Sequence, residues 1–310
     1  MRYFYYPGCS MSSSAIEYNV STQAVLRELG AELVEVEDWT CCGASAAETV
    51  SFLLSFVLPA RNLALAERMD GEGDFLVSCS ACYTNHYKVG EHAKGDPRLL
   101  DKINAALSVE GLTYTDERRV RHLLDVIAND FGPQAIVARV KRSLTGLRVA
   151  PYYGCQTVRP YSPFDDAEYP ETMDRVLTAT GAEVFPYAMK AKCCGGALMT
   201  TKKDVALKLV GGLLRAAKGA DCIATVCPLC QMNLEAYQGD VSRYMGEDLH
   251  IPVLYLPQLL GLAFDLPRES LRLERNIASP RPVLDKLVDR SQVFGKNLAS
   301  AAAHAGGSKA

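Results

Sequence analysis

Residues 41–44 are Cys-Cys-Gly-Ala, and residues 193–196 are Cys-Cys-Gly-Gly. In each half of the chain, this adjacent pair lies between a single cysteine upstream and a Cys-x2-Cys motif downstream. The spacings are 31 and 36 residues in the first half, and 37 and 32 residues in the second. The two matched sets are Cys9, Cys41, Cys42, Cys79 and Cys82, and Cys155, Cys193, Cys194, Cys227 and Cys230.

The neighbours of these cysteines repeat as well. The first cysteine follows Tyr6-Pro-Gly in one half and Tyr153-Gly in the other. Corresponding cysteines are offset by 146, 152 and 148 residues, which is the pattern of a duplicated unit with small insertions. The eleventh cysteine, Cys222, has no counterpart, and its apolar surroundings predict a small residue in a buried strand.

Composition excludes several classes of protein. The 310 residues are 48% hydrophobic and 22% charged, which is typical of a globular chain with about two domains. A net charge of −3 argues against binding nucleic acid through a broad basic surface. No apolar run reaches the roughly 20 residues of a spanning helix, and the N-terminus lacks the apolar stretch of a secretory signal. We therefore expect a cytoplasmic protein with no transmembrane span.

The cysteine count bears on which metal the chain holds. An odd number of cysteines and no secretory signal argue against a disulfide framework. Zinc is an alternative, because its tetrahedral sites often use paired Cys-x2-Cys elements. Each half offers five thiolates, one more than zinc or an ordinary cubane cluster takes. An adjacent Cys-Cys pair suits two neighbouring metal atoms, and thiolates without accompanying histidines or carboxylates favour iron–sulfur chemistry.

Strands and helices alternate in both halves, with the cysteines at their junctions. The first half predicts strands at 2–6, 32–36 and 74–78, and helices at 13–29, 46–69 and from 80 onward. The second half predicts strands at 147–153, 183–187 and 223–226, and helices at 171–180, 197–218 and from 228 onward. This order predicts two pseudo-symmetric Rossmann-like α/β units with small parallel sheets. Helix N-termini would then point toward the anionic thiolates.

These patterns divide the chain into four parts. The first cluster-binding unit is residues 1–95, a helical insert or linker is 96–145, the second unit is 146–265, and a helical C-terminal tail is 266–310. In the tail, Pro282–Asn297 predict an amphipathic helix. In the insert, apolar residues recur at helical spacing, which predicts a helix packed on the core: Val120, Leu123, Leu124, Ile127 and Phe131.

The duplicated pattern resembles the cysteine-rich CCG-domain family, to which the B-type subunit of heterodisulfide reductase belongs. The resemblance covers about residues 1–265 and includes the segment Pro252–Phe264. It implies two noncubane [4Fe-4S] clusters, each held by five cysteines, with a disulfide substrate between them. Carried onto this chain, it assigns Cys9, Cys41, Cys42, Cys79 and Cys82 to one cluster, and Cys155, Cys193, Cys194, Cys227 and Cys230 to the other.

The resemblance also implies a function and partners. The chain would be a catalytic subunit that cleaves a small-molecule disulfide reductively, or forms it from thiols. Because the sequence has no nucleotide or flavin motif, electrons would come from a ferredoxin-like iron–sulfur subunit and a flavin-containing subunit of the same complex. The alternative is an electron relay in a succinate, glycolate or lactate dehydrogenase complex or a sulfur-oxidation complex. Two complete cysteine sets favour the reductase. A zinc-stabilised assembly subunit without a redox role is a third hypothesis.

Two residues outside the cysteine sets are candidates for a role in the chemistry. His86, four residues after Cys82, could donate a proton or form a hydrogen bond to a cluster sulfur, although a lone histidine is more often structural. Gln156 follows Cys155, where related methanogen enzymes commonly have a histidine. Cations near the second set could hold an acidic substrate, although a solvated surface is the more usual role for such residues: Arg159, Lys190, Lys192, Lys202 and Lys203.

Overall fold

Parallel strands form one four-stranded sheet in each half of the chain in the computed structural model, which describes residues 1–44 and 46–287. The elements of the first half are β1 (Arg2–Tyr6), α1 (Gly8–Met11), α2 (Ile16–Leu29), β2 (Glu32–Glu35), α3 (Ala47–Val50), α4 (Leu54–Glu67), β3 (Asp74–Val77), α5 (Ser80–Gly95), α6 (Pro97–Leu107), β4 (Val120–His122), α7 (Leu123–Asp125) and α8 (Gly132–Val137). A π-helical turn, Val126–Phe131, joins α7 to α8.

The second half repeats this order. Its elements are β5 (Arg148–Tyr152), α9 (Thr172–Ala179), β6 (Glu183–Val184), α10 (Leu198–Thr201), α11 (Lys203–Ala216), β7 (Cys222–Thr225), α12 (Pro228–Ala236), α13 (Gln238–Met245), β8 (Val253–Tyr255) and α14 (Leu256–Ala263). Residues 281–287 are also helical. The rest of the predicted helix Pro282–Asn297 lies outside the described residues.

The two sheets have the same strand order, which confirms the predicted pseudo-symmetric α/β fold. The order is β2-β1-β3-β4 in the first sheet and β6-β5-β7-β8 in the second, with all neighbours parallel. Phe4 pairs with Val34 on one side and with Phe75 on the other. The chain changes direction across the sheet between β1 and β3, and between β5 and β7. In open α/β sheets, ligands gather beyond the carboxyl ends of the strands at this switch point.

The insert differs from the prediction at one place. Val120–His122 form a strand, not a helix, and add a fourth strand to the first sheet beside β3. The helical spacing holds only from Leu123 onward. A three-residue edge strand carries too little periodicity to be distinguished from the helix that follows it. The insert therefore completes the first unit and delivers His122 to the carboxyl edge of its sheet.

The two units share their packing. α2 of the first half packs against α14 of the second, and both hydrophobic cores contain residues from both halves. Tyr18 on α2 stacks on Tyr255, with ring centroids 4.1 Å apart and the ring planes 2° from parallel. Among residues 1–44 and 46–287, no helix is long and apolar enough to cross a membrane.

Candidate metal centre

The carboxyl edges of the two sheets carry all ten matched cysteines. Cys9 lies in α1 directly after β1, and Cys79 follows β3 as the N-cap of α5. The second half repeats this arrangement, with Cys227 as the N-cap of α12 after β7. Because the N–H groups of a first helical turn have no partner within the helix, this position favours thiolate over thiol.

The sulfurs of the first set lie close together. The Cys42 and Cys82 sulfurs are 3.2 Å apart, and those of Cys9 and Cys41 are 3.9 Å apart. The Cys79 thiol contacts that of Cys82. Cys9 and Cys41 are exposed, whereas Cys42, Cys79 and Cys82 are buried.

The second set has the same internal arrangement. The Cys194 and Cys230 sulfurs are 3.6 Å apart, as the counterparts of Cys42 and Cys82. Cys155 hydrogen-bonds Cys193, and Cys227 contacts Cys230. A cavity of about 210 Å³ opens beside these sulfurs. Because one water needs only on the order of 15 Å³, this space admits a group of several atoms.

The two sets meet where the two units join. The thiols of Cys79 and Cys227, the first cysteines of the two Cys-x2-Cys motifs, lie close enough that their interaction raises the pKa of Cys79 and lowers that of Cys227. The Tyr18 hydroxyl lies 2.9 Å from the carbonyl oxygen of Ser78 and 3.1 Å from that of Val226. One side chain thus bridges the residues that precede both motifs, and the thiols form a nearly continuous group across the junction.

Paired polar side chains hold the cysteine loops. Tyr6 and Tyr152, the last residues of β1 and β5, donate to the carbonyls that precede the adjacent cysteines, at 2.9 and 2.8 Å. Asn85 donates to the Cys42 carbonyl at 3.0 Å, and Asn233 donates to the Cys194 carbonyl at 3.2 Å. The prediction missed both asparagines. The signal was present, because each lies three residues after its motif, as Cys-x2-Cys-x2-Asn.

Hydrogen bonds between thiols favour deprotonation of one partner. A bond from Cys155 lowers the pKa of Cys193 to about 6, and one from Cys230 lowers that of Cys194. Bonds from Cys41 and then Cys82 lower the pKa of Cys42. Metal ligation requires thiolates, so each set contains sulfurs ready to bind.

His86 lies behind the first set, not in it. Its ring is fully buried, with Nδ1 2.7 Å from the Cys82 carbonyl and Nε2 3.2 Å from the Asn62 amide. Asn62 in turn bonds the backbone of Thr40, next to Cys41. Burial lowers the pKa of His86, which disfavours the imidazolium. Both ring nitrogens are engaged, and the geometry gives His86 a positioning role in the cysteine loop.

The other predicted residues are distributed as follows. Gln156 is exposed and lines the cavity of the second set. Cys222 is fully buried in β7, away from both sets. Lys190 pairs with Asp174, and Lys203 pairs with Asp240, each at 2.7 Å.

The donor set fits an iron–sulfur group better than a single ion. In the described part of the chain, no three or more His, Cys, Asp and Glu side chains converge in the geometry of a site for one metal ion. The sulfurs instead lie in contacting pairs along the junction. Iron–sulfur groups are typically held by soft thiolates. In the first set, both ring nitrogens of the neighbouring histidine are already engaged, so the thiolates are the donors.

Comparisons with known proteins agree with this duplication. A sequence profile of the cysteine-rich domain, CCG, matches residues 3–85 and 149–235. The 8-methylmenaquinol:fumarate reductase membrane anchor subunit of Wolinella succinogenes is 37% identical over 277 residues, which cover 88% of this chain and 95% of that protein. The B-type subunit of the ferredoxin:CoB-CoM heterodisulfide reductase of Methanosarcina mazei is 29% identical over 291 residues, 92% of this chain and 96% of that one.

A solved structure shares the fold. The crystal structure of a hypothetical protein from Helicobacter pylori matches with a TM-score of 0.70 at 14% identity, over 90% of this chain. The chain spans about half, 52%, of the length of that protein.

Proposed function

Because the chain belongs to the cysteine-rich CCG-domain family, we propose that it is an iron–sulfur subunit of an oxidoreductase complex. The observation that carries this proposal is the meeting of two matched cysteine sets at the contact between Cys79 and Cys227. Two redox groups held this close could exchange electrons within one chain.

We assign the ligands as the sequence predicts. Cys9, Cys41, Cys42, Cys79 and Cys82 would hold one group, and Cys155, Cys193, Cys194, Cys227 and Cys230 the other. An iron–sulfur group takes up and releases single electrons. The chain fixes the ligands: Tyr6, Tyr152, Asn85 and Asn233 hold the loops, and the helices that begin at the two Cys-x2-Cys motifs offset negative charge.

Electron relay is the function that the chain supports best. Its Wolinella relative is named for a quinol-linked fumarate reductase, which weakens the sequence-based preference for disulfide chemistry. In a relay, partner proteins could approach the cysteine sets at two places. The first set exposes Cys9 and Cys41, and the second set exposes Cys193. The partners would be a ferredoxin-like iron–sulfur subunit and a flavin-containing subunit of one complex.

Disulfide cleavage between two noncubane [4Fe-4S] clusters is the second candidate. The cavity beside the second set favours this candidate. All five cysteines of the second set line the cavity, together with Ser80 of the first unit. A small disulfide there would take up two electrons and two protons and leave as two thiols. The Methanosarcina relative is named for this class of reaction.

One experiment separates the two candidates. The full chain, reconstituted anaerobically and reduced, is mixed with the CoB-CoM heterodisulfide or with a menaquinone analogue, and oxidation is followed by EPR. Rapid oxidation by the disulfide, with a new paramagnetic signal that depends on thiol, supports cleavage. Oxidation by the quinone alone supports the relay. No oxidation by either probe, in protein that contains iron, contradicts both.

We extend the proposal to the domain organisation of the chain and to its location in the cell. Residues 1–95 and 146–265 would be the two cluster-binding units, with 96–145 as an insert and 266–310 as a tail. We propose a cytoplasmic site of action in contact with partner subunits. Fractionation of cells with and without those partners tests this, since one relative is named a membrane anchor subunit.

A further inference from the structure

A second, smaller cavity lies where the two units join, and we call it the junction cavity. Its volume is about 30 Å³, which is enough for a water molecule. Two carboxylic acids line it, Glu17 from α2 of the first unit and Glu235 from α12 of the second, and both are buried. Pro228, which follows a cysteine of the second set, lines it as well. Because exposed Ser14 and Arg275 also line the cavity, water can enter it from the surface.

One polar atom beside the junction cavity lacks a hydrogen-bond partner. Nε2 of Gln231 donates to the Val253 carbonyl at 2.8 Å, which fixes the orientation of this amide. Its Oε1 is buried and accepts no hydrogen bond from any residue that the structure describes. The Gln231 side chain lies close enough to Glu235 to affect the pKa of that carboxyl. A buried acceptor without a donor is unfavourable, and protonation of Glu235 would add an O–H donor beside it.

The Glu235 carboxyl has no ion-pair partner in the described part of the chain. Its oxygens lie 3.4 Å from the side-chain amide of Asn276 and 3.4 Å from the N–H of Ile277, which are both neutral donors. The cation that lines the cavity, Arg275, instead pairs with Glu17 at 3.4 Å. Burial raises the pKa of Glu235 to about 7, so this carboxyl can gain or lose a proton near neutral pH.

The neighbouring titratable groups do not change charge in this pH range. Burial raises the pKa values of Tyr18 on α2 and Tyr255 on β8, so both phenols stay neutral. Burial also raises the pKa of Glu17, but its partner Arg275 opposes that effect. Glu274, the residue before this arginine, is exposed. The α12 carboxyl is therefore the group in the junction cavity that is suited to exchange protons with water.

This carboxyl lies near the second cysteine set. Glu235 and Cys230 are both on α12, five residues apart, which is about 7.5 Å along the helix axis. Charges at Glu235 and at Cys227 both raise the pKa of Tyr255, so this side chain is close to both groups. Across about 10 Å of protein interior, one added charge changes the ionisation equilibrium of another group by roughly tenfold. An electron added at the second set would therefore favour the protonated form of Glu235.

We propose that Glu235 is a proton-binding site coupled to the redox state of the group held by the second cysteine set. This inference rests on the proposed function, because it requires an iron–sulfur group at that set. When the group takes up one electron from a partner subunit, the Glu235 carboxylate binds one proton from water in the junction cavity, and one O–H bond forms. When the electron leaves, this bond breaks and the proton returns to water. The proton neutralises the charge that each electron brings to the junction.

The test is an EPR-monitored redox titration of the reconstituted full chain from about pH 5 to 9. In wild type, one potential should fall as pH rises through and above neutral pH, by up to 59 mV per pH unit, the value for one proton per electron. Glutamine is neutral, like the protonated acid, and its amide can also donate. E235Q should therefore match wild type at low pH, lose the pH dependence, and be easier to reduce than wild type at high pH, by roughly tenfold in the reduction equilibrium.

E67Q is the matched control. Glu67 ends α4, before β3 begins, and therefore lies at the edge of the first sheet opposite the cysteines. Burial raises its pKa as well, and its carboxylate accepts from the Thr115 N–H at 2.9 Å. E67Q should retain the pH dependence of wild type. Persistence of the pH dependence in E235Q, or its loss in both variants, would overturn the inference while the proposed function stands.

A second measurement detects the proton itself. Infrared difference spectra between oxidised and reduced protein should show a protonated carboxyl that appears on reduction, shifts with carbon-13-labelled glutamate and is absent from E235Q. Iron-loaded wild type without this band would also overturn the inference and leave the proposed function intact. Protein that takes up no iron overturns the proposed function and this inference with it.

Discussion

Gly154 shows how tightly single residues are constrained beside the cysteines. Gly8 and Gly154 precede the first cysteine of each set and have φ values of +74° and +73°. A Cβ on Gly154 would lie 3.0 Å from the Cys230 sulfur, and one on Gly8 would lie 3.4 Å from the Cys82 sulfur. The backbone conformation and the approach of the sulfur both require glycine there.

We therefore expect Gly154→Ala to destabilise the protein by at least about 1–2 kcal/mol, the cost of a left-handed backbone for a residue with a Cβ. The control is Gly239→Ala in α13, where no atom lies within 4 Å of the added Cβ. Gly239 is the second residue of α13, so alanine there should stabilise by less than the roughly 1 kcal/mol that separates alanine from glycine in a helix interior. Denaturant unfolding measures both changes, and similar effects of the two substitutions would refute the constraint.

Glu235 gives a pH dependence that can be measured. It is buried on α12, and burial raises its pKa from 4.5 to about 7. Between these values the unfolded chain loses the proton and the folded chain retains it, so stability falls as pH rises through this window. The total loss is about 3 kcal/mol. Unfolding free energies from pH 4 to 8 should show this decline in wild type relative to Glu235→Gln, and parallel curves would count against it.

At the scale of elements, the sequence predicted the strand and helix order around each cysteine because the motifs and their neighbours are duplicated. It did not predict the fourth strand. The first strands of the two units are offset by 146 residues and the third strands by 148, but β4 and β8 are offset by 133. The longer connection before β4 breaks the repeat, and a strand of three residues has no periodicity of its own.

The contact between α12 and the second Cys-Cys-Gly loop depends on one amide. Asn233 donates to the carbonyls of Cys194 and Gly196 at 3.2 and 2.9 Å. Asn233→Leu leaves these carbonyls without that donor, which costs about 1–3 kcal/mol. We expect it also to reduce the iron content of the second set, measured after anaerobic reconstitution.

Asn104→Leu is the matched control for this substitution. Asn104 likewise bonds the backbone of another segment, at Tyr114, but it lies on α6, outside the cysteine loops. It should lose comparable stability and retain full iron content. Equal iron loss in both variants would mean that Asn233 acts only through general stability.

At the scale of the whole molecule, the sequence predicted two units, but not how they join. The junction is made by residues far apart in the chain, which no local pattern relates. Tyr18 bonds the carbonyls of Ser78 and Val226, and Ser80 reaches Thr157 across the same boundary. The duplicated cysteines predict two sites, whereas only the folded chain brings the two cysteine sets together.

Tyr18→Phe tests the junction. It retains the stacking on Tyr255 and removes the hydroxyl between the two units, at a cost of about 1–3 kcal/mol. We expect the free energy of unfolding to fall less steeply with denaturant concentration, because the two units would no longer unfold as one. Tyr5→Phe is the control, because Tyr5 is also buried but bonds Asn19 within its own unit. A shallower transition in Tyr5→Phe as well would remove the special role of the junction.

The central claim is that the ten matched cysteines hold two iron–sulfur groups. The most direct test is the iron, zinc and acid-labile sulfide content of the anaerobically reconstituted chain, compared with Cys222→Ala. We predict about eight irons and eight sulfides per chain in both proteins, the content that two [4Fe-4S] groups with no ligand at Cys222 would give. Zinc without iron or sulfide would contradict the account and favour a structural metal.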